Sequence, residues 1–158
     1  MVLWIHLLAA FFWIGGMIFL AIVVVPVERG ISDSRLRFDL VNKIGTRFKY
    51  FGWASIAILS LTGLYSTLIR IPSWEVLFGS RYGLTLITKL VLVTLMVVLS
   101  AFHDFYLGPR VVESAKKGEK ISRELHLLIY LARGNLILGL LVIYLAIVLR
   151  FGGLNIFH

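Results

Sequence analysis

Apolar positions in this chain run in four long blocks rather than in strict alternation or narrow helical stripes. The first, Val2–Val25, stops at Pro26 and the polar run Glu28–Asp33. The second, Tyr50–Ile69, precedes the turn signal Ile71-Pro72-Ser73. The third, Gly83–Leu107, stops at Gly108-Pro109, and the fourth, Leu125–Leu149, stops at Arg150 and Gly152-Gly153. Each block supplies the roughly 20 predominantly apolar residues that a helix needs to cross a bilayer. Proline and glycine sit at block ends, where they punctuate helices rather than break them. A helix satisfies its own backbone in lipid, which an open strand or loop cannot do. The pattern predicts an all-α integral membrane four-helix bundle, a single domain over 1–158 with spans at about 2–25, 50–69, 83–107 and 125–149. The sequence displays no internal repeat and no separate soluble domain.

The polar stretch before the second block is itself periodic. Leu36, Leu40, Ile44, Phe48 and Phe51 recur at helical spacing, and Asp33 is placed to cap a helix start. This predicts a cytoplasmic amphipathic extension, lying on or rising from the inner leaflet, that leads into the second span. The first block lacks a basic n-region, exceeds an h-region in length and has no small-residue cleavage site around Val25-Pro26-Val27, so it reads as a retained span.

Composition agrees with a membrane setting. The chain is 59% apolar with a mean hydropathy of +0.94, more than the core of a soluble domain of 158 residues can hide. The net charge of +8 is explained by its location. Loop 27–49 carries Arg29, Arg35, Arg37, Lys43, Arg47 and Lys49, and loop 108–124 carries Arg110, Lys116, Lys117, Lys120 and Arg123. Loop 70–82 holds only Arg70 and Arg81. By the positive-inside rule both basic loops are cytoplasmic and both termini face out, across a prokaryotic-type inner (plasma) membrane. The charge is thus topological, and nucleic acid is excluded as a partner.

Ionisable residues inside spans are costly in lipid, and each calls for a reason. His6 lies just inside the outer end of the first span and Lys89 about two turns inside the outer end of the third. His103, with Asp104 beside it, lies near the inner end of the third, and His126 near the inner start of the fourth. Lys89 and His103 are 14 residues apart, close to four helical turns, so they share one face about 21 Å apart. Axial ligands at that spacing suit one or two b-type haems in a bundle, with His6, Lys89, His103 and His126 as ligands or pocket residues. Arg133, two turns into the fourth span, would meet a haem propionate, a quinone or substrate carboxylate, or Asp104. The simpler reading makes the histidines interfacial, His103–Asp104 a helix-end pair, and the aromatic residues core and belt. Gly15, Gly16, Gly52, Gly63, Gly134 and Gly139 offer close helix approach.

Several of these residues carry a family resemblance. His6-Leu7-Leu8-Ala9-Ala10, Trp13-Ile14-Gly15-Gly16 and Pro26 resemble the first span of CopD-like (copper resistance protein D) membrane proteins. Thr62-Gly63 is similar to the family's second span, Arg81-Tyr82-Gly83 with Leu86 and Lys89-Leu90 to the start of its third, and His103-Asp104-Phe105 with Gly108-Pro109-Arg110 to its end. The layout also resembles the HemJ-type haem-associated family, whose first-span His and third-span Lys match His6 and Lys89. The chain departs from that pattern where Ile14-Gly15-Gly16 follows Trp13 and no Arg occurs before Arg29.

Three functions follow as expectations. The first is a b-type haem protein in electron transfer or small-molecule oxidation, a haem-dependent membrane oxidoreductase if enzymatic, with haem b as cofactor. The alternative, implied by the CopD-like resemblance, is copper transport or copper resistance, with His6, His103 and His126 as metal ligands. Copper(I) favours thiolate and thioether, and here there is no Cys and only Met1, Met17 and Met96. The third is a non-catalytic assembly partner whose polar residues join helices. Expected partners are the lipid bilayer, a quinone or redox protein, and a second copy in a homodimer.

Overall fold

The computed structural model describes residues 1–70, 73–117 and 122–153. Ile71-Pro72, Lys120 and His158 lie outside the described residues. Among the described residues the chain is helical, with no strand. In order it forms α1 (Val2–Phe19), a π-helical turn (Leu20–Val24), α2 (Val25–Arg29), α3 (Ser34–Arg70), α4 (Trp74–Gly79), α5 (Arg81–Ala101), a second π-helical turn (Phe102–Leu107), α6 (Gly108–Lys117) and α7 (Ser122–Arg150). Four stretches, Val2–Arg29, Arg35–Arg70, Arg81–Ala115 and Arg123–Arg150, are long and apolar enough to cross a membrane. The protein is therefore an all-α integral membrane protein. Large apolar side chains such as Trp4, Phe12, Leu61 and Ile147 stand exposed along these helices, as lipid permits and water does not.

Both π turns have the same cause. Each ends two residues before a proline, Pro26 or Pro109. A proline inside a helix has no N–H for the carbonyl four residues back, and its ring crowds that carbonyl. Widening the preceding turn relieves the clash, so the helix passes the proline instead of stopping. This is why the first membrane helix continues beyond Val25 to Arg29.

α3 has 37 residues and is roughly 55 Å long at the standard rise, well beyond the hydrocarbon thickness. Its leading part is the amphipathic extension before the second span. Asp33 starts it, with one carboxylate oxygen accepting from the backbone N–H of Arg35 at 2.8 Å and of Leu36 at 3.3 Å. That places an anion against the positive end of the helix.

The helices fall into two compact units, Met1–Gly63 with Pro109–Ile121, and Leu64–Gly108 with Ser122–His158. In the first unit, antiparallel α1 and α3 meet through small residues. A Cβ at Gly16 would collide with the Phe48 ring, and one at Gly52 would rest 3.7 Å from Trp13. Glycine thus lets each large ring lie against the opposing backbone. Trp13 and Ile14 are buried here.

The second unit packs α5 against α7 and seats α4 on the start of α5. Ser73 caps α4 by accepting from the N–H of Val76, and Ser80 caps α5 by accepting from that of Gly83 at 2.9 Å. A Cβ at Gly83 would run into the carbonyl groups of Leu77 and Val76, so only glycine fits beneath α4. Gly153, at φ +104°, brings the turn after α7 against the backbone of Arg81 and Tyr82. Gly134, by contrast, faces open space.

Candidate functional site

Hydroxyl side chains in a membrane helix bond to the nearest carbonyl, four residues back, because lipid offers no alternative. Ser60, Thr85, Thr88 and Thr94 all do so. Thr62 does too, donating to the Ile58 carbonyl at 2.6 Å, and its oxygen also lies 2.7 Å from His6 Nδ1. With the hydroxyl donating to the Ile58 carbonyl, both contacts are satisfied when the Thr62 oxygen accepts from His6 Nδ1–H. His6 is thereby assigned the Nδ1–H tautomer, which leaves the ring lone pair on Nε2. The next residue, Gly63, completes the seat, since a Cβ there would stand 3.6 Å from His6 Cε1. Metal-ligating imidazoles are commonly oriented by such a bond from one ring nitrogen.

His103 is oriented by the same logic. It falls in the second π turn, and its Nδ1 lies 2.8 Å from a carboxylate oxygen of Asp104. A carboxylate only accepts, so Nδ1 carries the proton and Nε2 is again the basic nitrogen when the ring is neutral. Both residues are partly shielded. Phe102 and Tyr106 stack on the same turn with ring centroids 4.9 Å apart.

The remaining sequence candidates are more dispersed. Lys89 lies partly shielded on α5, while His126 and Arg133 are exposed on α7. His103 and Asp104 are brought together; among the described residues no group of three or more His, Asp or Glu converges to hold a metal ion. Sequence reasoning missed two polar partners. Thr62 enters the sequence reading only through the family resemblance, because its position opposite His6 depends on helix pairing. Ser100 accepts from Asn135 Nδ2 at 2.8 Å, joining α5 to α7, a pairing between two helices that no spacing along the sequence reveals.

Together these features define a polytopic helical membrane protein with oriented imidazoles in its membrane segments. The family copper resistance protein D (CopD) matches residues 42–149, and the chain belongs to it. The match starts after α1, so His6 lies outside it. An uncharacterized protein of Aquifex aeolicus is 31% identical over 151 residues, covering 95% of this chain and 94% of that protein. The copper transport protein CutJ of Bacillus subtilis is 30% identical over 98 residues, covering 62% of this chain and 17% of that longer protein. No solved structure matches. Of the functions raised by the sequence, these relationships support the copper-related membrane one over the haem one.

Proposed function

We propose that this protein handles copper within the bacterial inner membrane, with copper as its cargo rather than a resident cofactor. Membership of the copper resistance protein D family carries this reading. The Bacillus subtilis relative is named a copper transport protein, which points the same way. His6 Nε2 is the first ligand. It lies near the outer end of α1, and the Thr62 bond spares it the search among ring orientations. Met17 follows eleven residues later, three turns along the same helix and close to the same face. It supplies the thioether that copper(I) prefers. His103, held by Asp104, serves as the inner imidazole. The basic loops face the cytoplasm, so the ligands run from the outer to the inner surface.

The test is cellular copper content. Cells expressing the wild-type chain should differ from vector controls under copper exposure, and His6→Ala should abolish that difference while protein abundance is unchanged. A folded His6→Ala variant with undiminished copper handling would remove His6 from the pathway. Haem is checked on the same preparations, because a Soret band with sharp reduced α and β bands in the purified protein would overturn the copper reading in favour of a cytochrome.

A further inference from the structure

Apart from α4, the order of elements is the same in the two halves of the chain. A membrane helix (α1, α5) leads into a π turn, then a short helix with proline as its second residue (α2, α6), then a long membrane helix (α3, α7). Pro26 and Pro109 stand 83 positions apart. That one offset also aligns the helices on either side, without a gap. Between α1 and α5 it pairs His6 with Lys89, Ala9 with Leu92 and Trp13 with Met96, all shielded, and it pairs exposed Phe12 with exposed Leu95. Between α3 and α7 it pairs Gly52 with Asn135, Ile56 with Gly139 and Thr62 with Leu145, again all shielded, and exposed Leu61 with exposed Tyr144.

Helical burial is a sensitive gauge of register. A shift of one residue turns a helix by about 100° and would set shielded positions against exposed ones. Two separate helix pairs keep phase at a single offset, and the same offset superimposes both π turns to within a residue and both prolines. Side-chain identity has largely gone, with Leu7/Leu90, Phe19/Phe102 and Pro26/Pro109 among the positions that retain it. The repeat is therefore carried by burial phase and backbone irregularity, which is why the sequence read by itself displays none.

We infer that the chain is a tandem duplication of one helical pair, in which residue n of the first copy matches n + 83 of the second, and that Lys89 with Leu145 is the second copy of the His6–Thr62 site. In the first copy an imidazole is held by a hydroxyl across α1 and α3. In the second an amine replaces the imidazole and an isobutyl group replaces the hydroxyl, on α5 and α7, which pack together. The first copy thus carries a hydroxyl-held imidazole at this place and the second an amine donor. This inference stands apart from the copper reading, since it rests on register alone.

Placing the first copy's pair of side chains in the second copy tests it. In the full chain, Lys89→His with Leu145→Thr should rebuild the hydroxyl-held imidazole in the second copy. Nitrogen-15 NMR of histidine-labelled protein should then show the introduced ring as the Nδ1–H tautomer, with shifts like those of His6. Lys89→His alone should lack that signature. The same tautomer distribution with and without Leu145→Thr would overturn the equivalence. The wild-type chain provides a second measurement, should the double variant fail to fold. Amide hydrogen exchange at 20–24 and at 102–107 should be faster than in the adjoining α-helix, and similar in the two turns. One turn as protected as mid-helix while the other opens would refute the duplication.

Discussion

At the scale of single residues, the arrangement that matters most is a hydroxyl in service of an imidazole. Thr62→Val keeps shape and β-branching but removes the oxygen that accepts from His6 Nδ1. The imidazole loses its fixed tautomer and its Nδ1–H is left to lipid. Removal of such an outer partner commonly weakens metal binding by about 10–100-fold. Copper(II) titration of the purified protein should show a loss of that order for Thr62→Val, while Thr62→Ser keeps the hydroxyl and binds near wild type. Equal affinity in Val and Ser variants would remove Thr62 from the site. A second residue-scale bond is structural. Asn135→Leu deletes the bond to Ser100 between α5 and α7, and interhelical bonds of this kind average about 0.6 kcal/mol. Unfolding in a mixed-detergent titration should register a loss of about that size with copper binding intact. His6, His103 and Asp104 were legible in the sequence because an ionisable residue in an apolar block stands out. Thr62 and Ser100 were not, because a lone hydroxyl in a membrane helix is usual and its partner lies on another helix.

At the scale of elements, the chain is organised by where helices must bend and where they must touch. Gly83 illustrates the second need. The carbonyl groups at the end of α4 occupy the space a side chain would fill, and backbone yields less readily than a flexible side chain. Gly83→Ala should destabilise the protein by about 1–3 kcal/mol, the usual range for overpacking. Thermal unfolding in detergent would measure it, with Gly134→Ala as the control, since nothing lies within 4 Å of a Cβ there. An unshifted midpoint for Gly83→Ala would mean that α4 lifts freely off α5. The membrane-crossing helices were evident from the apolar blocks, and the extension of α3 from its Asp33 cap and spacing of four. The π turns were not, because hydropathy averages over the backbone and registers Pro26 and Pro109 only as punctuation. A proline at the end of an unbroken apolar run, with helix-forming residues on both sides, is the sequence signal that a bent and continuous helix leaves.

At the scale of the whole molecule, orientation decides which imidazole faces which side of the membrane. The extension of α3 and loop 108–124 hold most of the basic residues, while α4 and its flanks hold few. Lys and Arg are retained on the cytoplasmic side during insertion, so the expected orientation has the basic segments inside and α4 outside. With α4 at the outer surface, its stacked Trp74 and Phe78, ring centroids 6.3 Å apart, sit where aromatic side chains settle at the headgroup level. The same orientation puts His6 near the outer face and His103 near the inner one. The absence of cysteine makes this directly measurable, since any introduced thiol is the sole reactive one. Glu75→Cys on α4 should react with a membrane-impermeant maleimide in intact spheroplasts. Lys43→Cys on the α3 extension and Lys117→Cys on α6, all three positions being exposed, should react only after permeabilisation. The reverse labelling would invert the molecule, placing His103 at the outer face and His6 at the inner, and His103 would then be the imidazole that copper meets first from outside the cell.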